Sequence, residues 1–219
     1  MSRYYGALVL PAMAMFAVAP FLIHNAPYES TMGLVQKIFY FHVPSAMMMF
    51  LAAFTCGIAS AFYLLGRRQG ADRLAGGAGE LTVVFGMIVL VTGPLWARKA
   101  WGVWWQWDAR LTSSLLLWMI FVAYLLVRRY GGPGSEKLAA AMALFGMANV
   151  PFVYVSVNIW RTLHPKTSVV PDLPAPMMGP FLFSAVAFLL LFAGLLAARV
   201  SLERAREQLE QVYREADDT

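Results

Sequence analysis

Cysteine and charge are both scarce in this sequence of 219 residues, and each scarcity excludes a class of protein. With one cysteine, Cys56, the chain forms no internal disulfide and has no Cys-x-x-Cys pair for thiol exchange. Charged residues make up only 13% of the chain and hydrophobic residues 60%, which is outside the range of an ordinary soluble domain. The composition predicts a membrane protein without dithiol chemistry.

Two further features limit the function. The sequence has no glycine-rich loop of the Walker type, which argues against a chain that hydrolyses ATP by itself. The net charge is +5, but most basic residues flank apolar segments, where membrane topology explains them. The charge therefore indicates a lipid bilayer as the partner and gives no reason to expect nucleic acid.

Six apolar stretches are long enough to be considered as membrane-spanning helices, which need about twenty residues each. The first could instead be a cleaved signal sequence, but its length, its two prolines and the even number of spans favour a helix that is retained. We predict an all-α, polytopic integral membrane protein, with a six-helix domain over residues 1–198 and a polar cytoplasmic tail over 199–219. The stretches are 6–23, 38–65, 81–96, 111–127, 138–159 and 178–198, of which the third is the shortest.

Lysine and arginine are unevenly divided between the two sides of this topology. Eleven of the 17 fall on the side that holds both termini, and six fall on the other side. Since cytoplasmic loops carry the excess of positive charge, both termini are predicted to be cytoplasmic. The loops 24–37 and 160–177 and a tryptophan-rich segment are then external. The eleven are Arg3, Arg67, Arg68, Arg73, Arg128, Arg129, Lys137, Arg199, Arg204, Arg206 and Arg214.

The tail has one apolar stripe on a helix, formed by Leu202, Ala205, Leu209 and Val212 at spacings of three and four. The stripe is compatible with a docking helix for a cytoplasmic partner and with a solvated extension of the sixth helix. Two heptads are too few to favour docking.

The external segment "WGVWWQWDARLT", residues 101–112, contains four tryptophans within seven residues. An interfacial aromatic belt explains one or two tryptophans at such a place, and explains four less well. If the segment is helical, Trp101, Trp104, Trp105 and Asp108 share one face, which would form an interfacial platform for a large, flat, mostly apolar ligand. Asp108 also lies near the start of the fourth helix, where it could act as a cap.

Three histidines fall at or near the external ends of helices. His42 lies in "FYFHVPSA" and His164 in "NIWRTLHP", on the same side as the tryptophans. Together they suggest axial ligation of a heme iron, with the porphyrin against the aromatic rings. His24 has no aromatic cluster near it in sequence and is interpreted as structural. Met177 and Met178 are alternative ligands, but their place at the start of the sixth helix favours a packing role.

Heme carries two propionates, which require cations. The external basic residues other than Lys37 are candidates, because arginine binds carboxylates in bidentate geometry. They could also merely border the membrane, although the topology rule predicts few basic residues on this side. The candidates are Arg98, Lys99, Arg110, Arg161 and Lys166.

Residues 101–112 match, at every specified position, the WWD signature of heme-handling membrane proteins, Trp-Gly-x-Trp-Trp-x-Trp-Asp-x-Arg-Leu-Thr. The chain length, the six spans, "HVP" at His42 and "TLH" at His164 resemble the heme exporter protein C family of the cytochrome c maturation system. The resemblance covers essentially all six spans. His24 and the basic pair of Arg98 and Lys99 have no role in it that we can assign.

This resemblance implies a bacterial inner-membrane protein that presents heme and is not an enzyme. In the family, transiently bound b-type heme is held on the outer face and passed to a periplasmic heme chaperone, and subunits of an ABC transporter use ATP to release the loaded chaperone. The resemblance makes His42 and His164 the axial ligands of the iron. The other residues expected to contact heme or chaperone are Trp101, Gly102, Trp104, Trp105, Trp107, Asp108 and Arg110.

Two other functions stay open at this point. A membrane b-type cytochrome also binds heme between helices, but it typically uses histidines buried within the bilayer rather than at helix ends. A transporter permease subunit could also have six helices, but it would not need a tryptophan platform. A Soret band in purified protein would exclude the plain permease, and redox turnover with quinol would favour the cytochrome.

Overall fold

The protein is a bundle of six long α-helices, seen here in a computed structural model that describes residues 3–29 and 32–217. Two short 3₁₀ helices, Leu34–Ile38 and Thr167–Val169, lie in the connections, and no strand occurs in the described ranges. Each α-helix is long and apolar enough to cross a membrane, which confirms the predicted all-α, six-span architecture. The α-helices are α1 (Arg3–Asn25), α2 (Phe39–Gly66), α3 (Gln69–Trp101), α4 (Ala109–Tyr130), α5 (Ser135–Ile159) and α6 (Ala175–Asp217).

Three short parts of the predicted segments lie outside the described residues. They are residues 1–2 of the membrane domain, residues 30–31 of the external loop 24–37, and residues 218–219 of the tail.

Helix α2 is central to the bundle, since it packs against both α3 and α5, while α4 packs on α5 and α1 on α6. The buried core between these helices is rich in alanine, with Ala52, Ala53, Ala78 and Ala143 all fully buried. Small side chains let helix backbones approach closely, which is how helices associate in lipid, where the hydrophobic effect offers little driving force. Burial by close packing therefore holds the bundle together.

Several glycines provide the space that a large side chain on a neighbouring helix fills. A Cβ on Gly57 would come within 2.5 Å of Met147, and a Cβ on Gly86 within 2.7 Å of Trp118. The Trp118 indole also donates a hydrogen bond of 3.0 Å to the Val83 carbonyl, so this contact joins α4 to α3. These pairings fix how the helices sit against each other.

Helix α3 is much longer than the predicted third span, 81–96, because it begins at Gln69 and ends at Trp101. Its first three turns are rich in glycine and alanine, which lowers their hydropathy but allows close packing. Gly77 and Gly79, for example, are buried. The short sequence estimate therefore came from small residues at a helix interface, and was wrong about the length.

Helix α6 continues without a break from the membrane segment into the tail and ends at Asp217. Two ion pairs attach this extension to α3: the Arg199 guanidinium binds Glu80, and Arg73 binds Glu207 at 2.5 Å. The apolar stripe of the tail is exposed in the single chain, with Leu209 at 55% and Val212 at 60%. The tail is thus a helical extension of α6, as the simpler of the two interpretations expects.

The contact between Gly79 and Tyr124 gives a test of the packing. A Cβ on Gly79 would overlap the buried Tyr124 ring, so Gly79→Ala should destabilise the bundle by about 1–3 kcal/mol, the usual effect of overpacking. The measurement is thermal unfolding in detergent. Gly6→Ala is the matched control, because its added Cβ would have no atom within 4 Å. Equal melting temperatures for the two variants would contradict this packing.

Candidate functional site

A cleft opens at the end of the bundle where α2 and α4 begin and α3 ends. It has a volume of about 60 Å³, which is room for a few water molecules, and it is partly open to solvent. A flat macrocycle would therefore lie partly outside it or displace side chains. The cleft is lined by His42, Ala46, Met49, Phe50, Val89, Leu90, Gly93, Pro94, Trp96, Ala97, Trp101, Trp105, Arg110, Leu111, Ser114 and His164.

His42 projects into this cleft from the first turn of α2. Its Nδ1 lies 2.8 Å from the hydroxyl oxygen of Thr92 on α3, and that hydroxyl donates its proton to the Ile88 carbonyl at 2.7 Å. The Thr92 oxygen can only accept from His42, so the proton of a neutral His42 is on Nδ1. The lone pair on Nε2 is thereby left for another partner. Gly93 is next to the ring, with its would-be Cβ 3.4 Å from His42 Cε1.

His164 reaches the same cleft from the loop after α5. Its Nδ1 lies 2.8 Å from the Pro165 carbonyl, which can only accept, so Nδ1 carries the proton here too and Nε2 has the lone pair. The pKa of His164 is lowered to about 4 by burial and then by the Arg110 guanidinium, against the opposing Pro165 hydrogen bond and Asp108 charge. The imidazole is therefore neutral at pH 7, which is the form that binds metals.

The tryptophan-rich segment is not helical, so the predicted single aromatic face is wrong. Helix α3 ends at Trp101, where Gly102 adopts the left-handed conformation at φ 78°. Beyond Gly102 the chain is irregular up to Asp108. As a result, Trp105 lines the cleft with Trp101, whereas Trp104 and Trp107 are 57% and 76% exposed.

The cleft tryptophans are held by edge-to-face contacts. Trp96 packs on Trp101 with ring centroids 4.8 Å apart, and Trp105 packs on the exposed Trp107 at 5.7 Å. The indole N–H groups of Trp96 and Trp105 are buried and have no acceptor among the described residues. Both donors are therefore unpaired in the part of the chain that the structure describes.

Asp108 is the N-cap of α4, which confirms the capping interpretation of this residue. Its Oδ1 accepts from the Leu111 amide at 2.8 Å. Its Oδ2 accepts a hydrogen bond from the Thr162 hydroxyl in the loop after α5, and the same hydroxyl oxygen accepts from the His164 amide at 3.0 Å. One carboxylate therefore links the start of α4 to the loop that carries His164.

Of the predicted propionate-binding cations, Arg110 is the one that lines the cleft. Its guanidinium donates to the Val153 carbonyl at 2.5 Å and lies over the Phe50 ring. Arg98 donates to the Gly102 carbonyl and lies over the exposed ring of Trp104. The other candidates, Lys99, Arg161 and Lys166, have exposed side chains.

The structure brings together both predicted histidines and leaves the other ligand candidates outside the cleft. His24 is exposed at the end of α1. Met177 is buried in a separate cluster at the start of α6, with Phe181 and Tyr40, as expected for a packing residue. Lys37 is structural as well, since its ammonium donates to the last carbonyls of α1, including that of Ile23 at 2.5 Å.

Sequence reasoning missed three residues of the site. Trp96 precedes the signature and was interpreted as part of a membrane span. Thr92 and Thr162 have no feature in the sequence that distinguishes them from other polar residues. Thr162 left a weak signal, because a threonine two residues before a candidate ligand can bond the ligand's own backbone amide. Nothing in the sequence pairs Thr92 with a histidine 50 positions away.

The donor set fits heme better than a bare metal ion. Among the described residues, no group of three or more His, Cys, Asp and Glu side chains is arranged to hold a metal ion. Two neutral imidazoles are the number that suits an iron already bound by four porphyrin nitrogens. Aromatic rings, a guanidinium and two unpaired indole donors complete the lining.

Comparisons with known proteins show which family this chain resembles over most of its length. The family model described as "Heme exporter protein C" matches residues 2–215. A "Heme exporter protein C" of Bradyrhizobium diazoefficiens is 34% identical over 217 residues, covering 94% of this chain and 82% of that protein. The Escherichia coli K12 protein of the same name is 32% identical over 182 residues, 80% of this chain and 73% of its own length.

A plant protein is comparably similar. A "Putative cytochrome c biosynthesis ccmC-like mitochondrial protein" of Marchantia polymorpha is 33% identical over 168 residues, covering 76% of this chain and 72% of that protein. The residues matched by the family model, 2–215, span all six helices. The chain belongs to the heme exporter protein C family.

Proposed function

We propose that this chain binds heme at the outer face of the cytoplasmic membrane and presents it to a periplasmic heme chaperone. Membership in the heme exporter protein C family implies a role in heme handling for cytochrome c maturation. The finer proposal rests on one observation: two neutral imidazoles line a single cleft, and each has its Nδ1–H bonded to the protein and its Nε2 lone pair available.

His42 and His164 are the proposed axial ligands of one iron, approached from opposite faces of the heme. Metal-bound histidines almost always donate their other ring N–H to the protein, which fixes the tautomer and raises the basicity of the ligating nitrogen. Thr92 supplies the acceptor for His42, and the Pro165 carbonyl supplies it for His164. Both rings are therefore arranged for coordination before a ligand arrives.

The remaining lining residues orient the ligand. Arg110 and the indole N–H groups of Trp96 and Trp105 are the donors proposed for the propionates, while Trp101 and Trp105 offer ring surface to the porphyrin. The described residues that line the cleft include no cysteine, so coordination and packing would retain a b-type heme, without a covalent bond. Gly102 contributes by ending α3 rather than by contact, since it is exposed and not part of the lining.

Incomplete enclosure favours presentation over storage. The cleft is partly open to solvent and, at about 60 Å³, is far too small for a whole macrocycle, so part of a bound heme would remain accessible to another protein. The rings of Trp104 and Trp107 are exposed, and Trp107 contacts the cleft residue Trp105. We propose these rings as the chaperone-facing surface, because exposed tryptophans are frequent energetic centres of protein interfaces.

The other proposed partners are the ABC transporter subunits of the maturation complex, which would supply the ATP hydrolysis that releases the loaded chaperone. This chain would then contribute binding and orientation of heme without catalysing a reaction. Proteins of this family are membrane components of heme transport and cytochrome c maturation, which supports a role in binding heme rather than in catalysis.

The axial ligands can be tested by spectroscopy. His42→Ala and His164→Ala should each change the axial ligation seen in the absorption spectrum, and added imidazole should partly restore it by filling the open position. We expect heme retention to fall by at least about tenfold in each variant, since even loss of a partner outside the coordination sphere typically costs that much. The measurement is a heme titration of the purified protein in detergent.

His24→Ala is the matched control, because this histidine is exposed at the C-terminal end of α1 and does not line the cleft. It should leave the spectrum unchanged. A spectrum like that of the wild type from the double variant His42→Ala with His164→Ala would disprove the assignment. Redox turnover with quinol would instead favour an electron-transfer cytochrome.

The two pairs of tryptophans should behave differently. Trp105→Ala should weaken heme retention by about tenfold, because it removes a ring from the cleft lining. Trp104→Ala should leave retention intact and slow the transfer of heme to a soluble chaperone, because this ring is exposed outside the cleft. Equal retention and equal transfer in both variants would contradict the division of the segment into a cleft side and a partner side.

Membrane orientation can be tested with cysteines and an impermeant thiol reagent in intact cells. Cysteines introduced at the exposed positions Gly70 and Pro133 should stay unlabelled, because both lie at the end of the bundle proposed to face the cytoplasm. Ser168→Cys, in the loop after α5, should react. Cys56 is fully buried, so the wild-type chain serves as the unlabelled background. The reverse pattern would place the cleft on the cytoplasmic side.

A further inference from the structure

We infer that Asp108 and Thr162 act as a clamp that positions His164, so that the aspartate of the tryptophan-rich signature works on heme only through this loop. The inference rests on the proposed role of His164 as an axial ligand. It assigns to Asp108 a different task from contact with heme or chaperone, and it gives Thr162 a role that the sequence motif does not include.

Both oxygens of the Asp108 carboxylate are already engaged within the protein. Oδ1 accepts from the Leu111 amide at 2.8 Å, and Oδ2 accepts from the Thr162 hydroxyl. The side chain is half-buried and is not part of the cleft lining. Asp108 therefore faces the junction between the start of α4 and the loop after α5, and not the ligand.

Thr162 transmits this fixed point to the ligand residue. A hydroxyl has one proton and two lone pairs, and here the proton goes to Asp108 while a lone pair accepts the His164 amide at 3.0 Å. The loop has no helix or strand at residues 160–166 to hold it. The position of the His164 backbone is thus set by a side-chain bond to another helix, and the Pro165 carbonyl then sets the ring.

Position matters strongly for a ligand of this kind. Partners outside the coordination sphere that orient a ligating histidine typically contribute 10–100-fold to metal affinity. The geometry at His42 is already rigid, because Thr92 and its acceptor Ile88 both lie on α3. The clamp supplies the corresponding rigidity to the histidine that lies on a loop.

The test compares substitutions at Thr162 in the full chain, purified in detergent. Thr162→Val keeps the shape and removes the hydroxyl, leaving the Asp108 cap on α4 in place. It should weaken hemin binding by about tenfold or more and shift the spectrum toward that of His164→Ala. Thr162→Ser keeps the hydroxyl and should restore both. The heme-free protein gives a second measurement, because hydrogen exchange at residues 162–166 should be faster in Thr162→Val than in the wild type.

Two controls separate this role from general loosening of the loop. Thr167→Val removes another hydroxyl of the same loop, one bonded to Asn158 at 3.1 Å, and should leave the spectrum unchanged. Asp108→Asn can still cap α4 and can donate from its NH₂ group to the second lone pair of the Thr162 oxygen, so it should weaken hemin binding less than Thr162→Val. If both residues belong to one clamp, the double variant should be no worse than Thr162→Val alone.

The outcomes are distinguishable from failure of the proposed function. If His164→Ala alters the spectrum but Thr162→Val does not, the clamp is disproved while His164 remains a ligand. If Thr167→Val is as harmful as Thr162→Val, the effect is one of loop stability and the clamp is also disproved. A wild-type spectrum in His164→Ala would overturn the ligand assignment itself, and the clamp with it.

Discussion

Backbone hydrogen bonding inside a membrane confines the functional part of this chain to the ends of its helices. Every N–H and C=O group in lipid must be bonded within its own helix, so irregular chain is tolerated only at the ends or against protein. The two irregular segments that build the site, residues 102–108 and 160–166, both follow the end of a helix and lie at the same end of the bundle. The site is therefore a product of where helices stop.

Those stopping points are set by individual residues. Gly102 ends α3 in the left-handed conformation, and Asp108 begins α4 six residues later by accepting the Leu111 amide. The short segment between them cannot be helical, so its tryptophans face different directions. Trp105 turns into the cleft and Trp107 turns out, yet the two rings remain in contact at 5.7 Å. Because α3 ends within the motif, the motif has one tryptophan side that lines the cleft and one that is exposed.

Sequence reasoning predicted the features that depend on composition or on a long motif. Six apolar stretches were enough to give the six spans, and the two histidines were correctly placed with Trp101 and Trp105 at one end of the bundle. It failed where tertiary packing decides. The glycines and alanines in the first turns of α3 have low hydropathy, so the predicted span was shorter than the helix. The single aromatic face predicted for residues 101–108 required a helix there, and α3 instead ends at Trp101, where Gly102 is left-handed.

Hydrogen bonds between distant side chains were also beyond reach. Thr92 and His42 lie 50 positions apart, and Thr162 and Asp108 lie 54 apart. Each pair forms because helix packing brings two ends together, and a single sequence carries no record of that distance. Asp108 shows the consequence: read alone it could cap a helix or face a ligand, and only the fold shows that its second oxygen holds a neighbouring loop.

The two histidines differ in how they are supported, and this difference suits a protein that must both hold and release heme. His42 belongs to a membrane helix and is bonded to a second one, so moving it would disturb the packing of α2 on α3. His164 lies on a loop whose position depends on a few hydrogen bonds. Under the proposed function, a partner could displace the second ligand by breaking those bonds alone. Release would then leave the bundle, and the ligand on its helix, ready for the next heme.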